Sequence, residues 1–406
     1  MRILFLTDNF PPEGNAPASR TYEHAIEWVK RGHDVTVITT APNFPEGVVF
    51  DGYSNQWHSV EGIDGIRVVR VKTYIVANQG FGKRTLDYMS FGLMGCLAGL
   101  FEKRADVIVG TSPQFFTVCS AWLLSVLKWR PFVFELRDLW PASIRAVGAM
   151  QDGIVFRTLS WIEKFLYRRA AAIVAVTHSF RTELIARGID ADKIYVVING
   201  VDTAKYSPTE KDAELTRLYG LKGKFVVGYI GTHGMAHALH RILETADLLR
   251  HRDDIVFVFV GGGARRDELV RQANKLNLQN VRFVERQPKE QMPRIWSLCD
   301  VSLISLKNDA LFRSVIPSKI FESMGMGLPI ILSLPEGEAS EIIKNTGSGL
   351  VVEPENPERL KEAVIKIKED TVLRERLSCA SADSAESYSR KQQAEKMLEI
   401  FQTIAD

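Results

Sequence analysis

The run Pro317-Ser318-Lys319-Ile320-Phe321-Glu322, closed by Gly327-Leu328-Pro329, combines a turn, a helix start and a stop. A helix N-terminus presents free backbone N–H groups and a partial positive charge, which suits a diphosphate. Lys319 adds a full charge at that end. Glu322 lies about one turn deeper, where a carboxylate can accept hydrogen bonds from a ribose. The implied chemistry is to hold a nucleoside diphosphate and to stabilise its charge as it departs. The structural alternative is a plain Lys319–Glu322 helix ion pair.

Other segments have the residue types to assist. Gly228-Tyr-Ile-Gly231-Thr232-His233-Gly234 joins a strand to a helix, and Gly231 and Gly234 suit a phosphate cradle. Gly261-Gly262-Gly263 ends the next strand and keeps space open for a nucleotide. In Glu285-Arg286-Gln287-Pro288, backbone groups can pair with a flat base and Arg286 can stack on it. Earlier, Glu135-Arg137-Asp138-Trp140 ends a strand with charges. Asp138 can bind sugar or acceptor hydroxyls, and Arg137 can hold phosphate or orient the acid. The first loop, Asp8 to Arg20, contains Gly14 and Asn15 and reads as a flap over a sugar diphosphate, or as a connection with an N-capping serine.

Most histidines show no metal spacing and read as surface or satisfied side chains; His178 and His233 are set apart because each follows a strand. No Asp-x-Asp pair is placed to hold a divalent ion against a diphosphate, so metal independence is expected. A Walker loop and a Gly-x-Ser-x-Gly elbow are absent. Cys96, Cys119, Cys299 and Cys379 form no disulfide or metal framework, which points to a reducing compartment.

These residues need a scaffold. At 406 residues, 46% hydrophobic and 25% charged, the chain suits two globular domains. A net charge of +2 argues against nucleic-acid binding by charge alone. Short apolar runs alternate with helical patterns, implying an α/β chain with two doubly wound parallel sheets whose strand ends meet a central cleft. The turn Asn199-Gly200 and the polar stretch to Gly223 separate residues 1–202, joined by 385–406, from residues 203–384. The chain opens on a strand, with no room for a signal peptide, and its longest apolar stretch, Met89 to Phe101, is too short to span a bilayer. That stretch, with the basic lead Lys83-Arg84 and a second helix bearing Trp122, Lys128, Trp129 and Arg130, reads either as a peripheral membrane face or as a core-facing helix pair.

Taken together, the chain resembles a retaining glycosyltransferase of the GT-B fold in the GT4 family, with two Rossmann-like domains. Phe10-Pro-Pro-Glu13-Gly14 with Arg20, Arg31-Gly32-His33-Asp34, Val197-Ile198-Asn199-Gly200-Val201-Asp202, and Pro317-Ser318-Lys319 with Glu322 carry the likeness. Arg137-Asp138-Leu139-Trp140-Pro141 is similar to the branch that builds bacterial surface polysaccharides, including L-fucosamine transferases. The chain departs from the family twice. The first of its paired glutamates falls on Ser314, and the arginine and lysine after its glycine loop are replaced in the region of Thr232, His233 and His237. The resemblance implies metal-independent hexosyl transfer from a UDP-sugar, best UDP-glucose, with no separate cofactor. It implies Asp138, Lys319 and Glu322 as catalytic residues. Gly14, Asn15, Arg137, Gly231, Thr232, His233, Gly262, Arg286, Gln287, Pro317, Ser318, Lys319, Ile320 and Glu322 would bind the nucleotide sugar. The acceptor would be a polysaccharide or lipid-linked saccharide, and the setting cytoplasmic, at the inner membrane face. A UDP-N-acetylglucosamine 2-epimerase and a non-catalytic nucleotide-sugar binder are the alternatives.

Overall fold

The structure is a computed structural model and describes residues 1–44, 46–76, 81–142 and 153–405. The chain divides into two compact units, Met1–Ile198 with Lys391–Asp406, and Asn199–Arg390. The division falls a few residues from the expected 202/203 and 384/385 boundaries. The reason is backbone pairing: Val201 N–H donates to Tyr388 O at 2.9 Å and Arg390 N–H to Val201 O at 2.8 Å, which ties both crossings to the second unit.

Unit one contains β1 (Arg2–Leu6), β2 (Asp34–Thr40), β3 (His58–Ile63), β4 (Ile66–Val71), β5 (Val107–Thr111), β6 (Phe132–Leu136), β7 (Ala172–Ala175) and β8 (Ile194–Val196). Their order is β3-β4-β2-β1-β5-β6-β7-β8. The sheet is doubly wound because neighbouring residues of one strand feed different layers. Leu4 and Leu6 join a core with Phe91, Leu124 and Leu166, whereas Ile3 and Phe5 join one with Trp28, Met397 and Phe401. Burial on both faces requires an apolar run rather than alternation. Strand β3 escapes that pattern. It is an edge strand antiparallel to β4, with alternating exposure, and its sequence HSVEGI contains no apolar run. Glu61 on it pairs with Arg70 on β4.

The C-terminal helix Arg390–Ala405 closes the first unit. Trp28 Nε1 donates to Ala394 O at 2.8 Å, and its ring meets Phe401 edge-on at 5.2 Å.

Unit two contains β9 (Phe225–Ile230), β10 (Ile255–Val260), β11 (Val281–Val284), β12 (Val301–Ser305), β13 (Ile330–Ser333) and β14 (Gly349–Val352). Its strands are parallel and ordered β11-β10-β9-β12-β13-β14. The order reverses between β9 and β12, and such a switch point opens a crevice at the carboxyl strand ends.

Candidate functional site

Three loops are laced together at that end of unit two. Gly231 N–H donates to Val260 O at 2.9 Å, His233 N–H to Gly262 O at 2.8 Å, and Gly261 N–H to Val284 O at 3.1 Å. The ends of β9, β10 and β11 therefore hold one another in place. Glycine is required three times for this, Gly263 included, with φ +145° and a Cβ that would lie 2.7 Å from His233 O. Gly261 has φ +137°, and a Cβ there would lie 2.1 Å from Gly231 O; Gly231 has φ +138°, and a Cβ there would lie 2.7 Å from Lys319 Nζ. Beside them Gly262 faces open space.

Lys319 begins the helix Lys319–Gly325, which follows β12. Its Nζ is buried and has no hydrogen-bond partner. The ammonium sits 4.1 Å from the centroid of the Tyr229 ring, a cation–π contact that partly replaces hydration. Burial lowers its pKa to about 8, against the pull of Glu322. An unpaired buried cation is costly, and a charge kept at that cost is ready for an anion. Lys319 and Glu322 feel each other electrostatically, but the helix ion pair does not form because the ammonium turns to Tyr229.

The helix is shorter than a full dipole needs, at seven residues. Ile320 N–H is taken by Pro317 O at 3.1 Å and Phe321 N–H by Ser318 O at 3.1 Å. The amides of Ser318 and Lys319 stay open, and the Ser318 side chain makes no cap bond. Ile320 differs from its neighbours. Its side chain is fully buried in the core and its amide is spent, because the position after Lys319 faces the sheet. Glu322 is half-buried, and burial raises its pKa against the opposing pull of Lys319 and Arg390. The indole N–H of Trp296 also favours its carboxylate, although it falls outside strict hydrogen-bond geometry.

His233 is fully buried, and neither ring nitrogen has a partner. Burial, then the charges of Arg266 and Lys319, push its pKa down to about 4, so the ring is neutral near pH 7. It packs against Tyr229, Phe259 and Phe283. His237, expected at the surface or satisfied, is half-buried, its ring meeting Tyr229 at 6.1 Å and a hydrogen bond reaching the Ser305 backbone; burial and Lys319 push its pKa down to about 4. Tyr229, which positions the Lys319 ammonium, was missed by sequence reasoning; its place just before Gly231 was the available signal. Thr232 is exposed and its carbonyl accepts from Tyr229 Oη at 2.7 Å.

Arg286 and Gln287 follow β11. Arg286 is exposed, and Gln287 Nε2 donates to Glu285 O at 3.1 Å. Ser314 ends the short 3-10 turn Ala310–Ser314, and its hydroxyl donates to Leu311 O at 3.3 Å.

In unit one the expected residues fall at two strand ends. Gly14 and Asn15 follow β1, and nothing lies within 4 Å of where a Gly14 Cβ would be. Asn15 is the N-cap of the helix Ala16–Lys30: its Oδ1 accepts from Ala18 N–H at 2.9 Å while its Nδ2 donates to Asn9 Oδ1 at 2.8 Å. The cap expected of a serine is thus supplied by Asn15. Arg137 and Asp138 follow β6; Arg137 N–H donates to Ser112 Oγ at 2.8 Å. The Asp138 carboxylate acts on the buried Glu163–Tyr167 pair. Sequence reasoning also missed Asp8, which is buried at the end of β1, accepts from Gln114 Nε2 at 2.9 Å, and has its pKa raised by burial and then by Asp87. His178 opens the helix His178–Ala186 and is exposed.

Among the described residues, no cluster of three or more His, Cys, Asp or Glu side chains could hold a metal. No described helix is long and apolar enough to cross a membrane.

Comparison with known proteins follows the same division. Residues 15–200 match the family described as glycosyl transferase 4-like domain, and residues 214–383 match glycosyl transferases group 1. WcaI of Escherichia coli K12, described as a colanic acid biosynthesis glycosyl transferase, is 25% identical over 92% of this chain and 95% of its own. Sucrose-phosphate synthase of Thermosynechococcus elongatus superposes with TM-score 0.79 at 15% identity, covering 99% of this chain and 98% of that one. Anabaena HepE, solved in complex with UDP-glucose, superposes with TM-score 0.72 at 19% identity over 99% of this chain and 100% of its own.

Proposed function

This chain is a glycosyltransferase of the GT-B fold, with a glycosyl transferase 4-like domain and a group 1 domain, and from that premise we propose a retaining hexosyl transfer from a UDP-sugar. UDP-glucose is the leading donor, supported by the fold shared with HepE, whose structure contains it. The proposed acceptor is a polysaccharide or lipid-linked oligosaccharide, in keeping with the colanic acid biosynthesis named for WcaI, and the proposed setting is the cytoplasmic face of the membrane.

One observation carries the reading: the buried, unpartnered ammonium of Lys319 beside the Gly231 cradle. There it and the open amides of Ser318 and Lys319 hold the diphosphate. Glu322 accepts from the ribose, while Arg286 and Gln287 meet the base. Neutral His233, buried beneath the loop, adds no charge. In the transfer, the acceptor oxygen bonds to the anomeric carbon as the carbon–oxygen bond to the diphosphate breaks. The acceptor proton passes to the leaving diphosphate on the same face. Protein groups position the reactants and stabilise charge, with no metal in the scheme. On the acceptor side, Asp138 takes hydroxyls, Arg137 orients it, and Gly14 and Asn15 shape the first loop.

A thermal-shift screen tests the donor. UDP-glucose is expected to raise the unfolding midpoint above GDP- and ADP-sugars. Product formation should persist in EDTA, and NMR of the product should show the donor's anomeric configuration. Inverted product, or stabilisation by a different base alone, would refute the proposal. Sugar-nucleotide conversion without any acceptor would favour the epimerase reading instead.

The pH dependence follows from Lys319. Its charged form binds the diphosphate, so affinity is present below its pKa of about 8 and is lost as pH rises through it. UDP affinity by calorimetry should fall about tenfold by about pH 9. Lys319→Arg, which stays charged, should flatten that profile; an unchanged slope would dissociate Lys319 from the diphosphate.

A further inference from the structure

Three helices of unit one cover the same core layer: Phe81–Phe101, Phe115–Lys128 and Ile154–Arg169. Gly99 lets the first approach the second so closely that a Cβ there would lie 2.5 Å from Leu124 Cδ1. Lys128 Nζ donates to the carbonyls of Leu100 and Glu102 at its end. The rings of Trp122, Phe165 and Trp161 join the second helix to the third.

Their outward faces are unusual for a protein surface. From Leu86 onward, the exposed side chains of the first helix and its end are Leu86, Met89, Leu93, Leu97, Leu100 and Phe101, all apolar. On the second they are Leu123, Val126 and Leu127. The third exposes the apolar Ile154, Val155 and Trp161 beside Arg157, Thr158, Lys164, Arg168 and Arg169. Exposed apolar side chains gathered on neighbouring helices in this number mark a contact surface. Trp129, just past the second helix, is 87% exposed and held at φ 55°, a left-handed position that favours glycine. An indole kept in solvent against its backbone preference adds an independent sign of contact.

The charges around this face choose the partner. Exposed cations on these helices and their ends include Lys83, Lys103, Arg104, Arg157, Lys164 and Arg168, while among the described residues no acidic side chain is exposed there. Asp87 and Glu102 are half-buried, and Glu102 is paired with Arg67. Two copies of such a face would oppose cation to cation. An anionic bilayer matches both features, taking the apolar side chains at the headgroup boundary and the cations at its phosphates.

We propose that this three-helix face of unit one docks on the surface of an anionic lipid bilayer. It deepens the lipid-linked acceptor reading and rests on it only for purpose, since the surface is independent of the donor site. The whole chain should float with phosphatidylcholine vesicles containing phosphatidylglycerol, and far less with phosphatidylcholine alone. Raised salt should weaken binding only in part, because the apolar share is unscreened. The triple variant Leu93→Ser, Leu97→Ser, Leu123→Ser should lower vesicle partition about tenfold or more. Trp129→Gly should also weaken flotation while raising the thermal midpoint, which a damaged fold would not do. Absence of wild-type flotation at low salt would overturn the proposal. So would unchanged flotation of both variants, or light scattering showing a wild-type dimer that the triple variant dissolves. UDP-glucose binding should be unaffected by the triple variant. Failed flotation with intact donor binding removes the docking surface alone, and lost donor binding with intact flotation removes the transferase reading alone.

Discussion

Lys319→Ala is expected to lower turnover by about 10²–10³-fold, equivalent to about 3–4 kcal/mol of transition-state stabilisation. Negative charge builds on the diphosphate as the sugar leaves, and the buried ammonium is the full positive charge already aimed at that space. Its low-dielectric setting makes the interaction stronger than it would be in water. The same setting dictates the effect on folding. Lys319 Nζ has no hydrogen-bond partner, so removing it relieves a desolvation penalty that exceeds the lost Tyr229 contact and breaks no hydrogen bond. The thermal midpoint of Lys319→Ala, and of the closer-sized Lys319→Met, should equal or exceed that of the wild type. Nucleotide release would be measured beside each melting curve. Near-wild-type turnover would take Lys319 out of the reaction, and a lower midpoint would show that the Tyr229 contact outweighs the desolvation penalty.

The other large effect lies in unit one. Arg20 and Glu135 form a fully buried pair, with Nε donating to Oε1 at 2.9 Å. Arg20 also donates to Ile198 O at 2.9 Å and to Val197 O at 2.8 Å, and so ties the Ala16–Lys30 helix to β6 and to the chain leaving β8. Glu135→Ala removes the carboxylate that pairs with that buried guanidinium, with an expected loss of about 3–5 kcal/mol. Replacing both, as Arg20→Met with Glu135→Leu, should recover much of it, because neither charge then remains. Urea unfolding of each variant would measure this, with the two units free to unfold in separate steps. A loss below about 0.5 kcal/mol in Glu135→Ala would mean that the pair contributes little. The pair also sets an acid limit. Arg20, then Arg137, overcomes the burial of Glu135 and holds its pKa below the ordinary 4.5. Its contribution is therefore present above that value and is lost as pH falls below it.

Arg20 shows how far a sequence can be read. As part of a family pattern it was visible, but its function as a buried clamp was not, because its partners lie over a hundred residues away in Glu135 and Val197. Asn15 is similar. A small polar residue ahead of a helix signals a cap, yet whether Asn15 or Ser19 supplies it depends on where the turn ends. Strand β3 was invisible because its polar alternation has meaning only once β4 is beside it.

The amino-acid order alone determined the two α/β units, since strands buried on both faces must be apolar runs and helices must separate parallel strands. It also determined that Gly231, Lys319 and Glu322 belong at strand or helix ends, because glycine and charge in those settings serve little else. Tertiary structure decided the electrostatics. Lys319 turned from Glu322 to the ring of Tyr229, His233 and His237 became neutral, and the Ile320 side chain entered the core. Pattern in a chain specifies which face is buried; the charge state of a group depends on solvent exclusion and on neighbours brought from distant sequence, and these exist only after the sheet has closed.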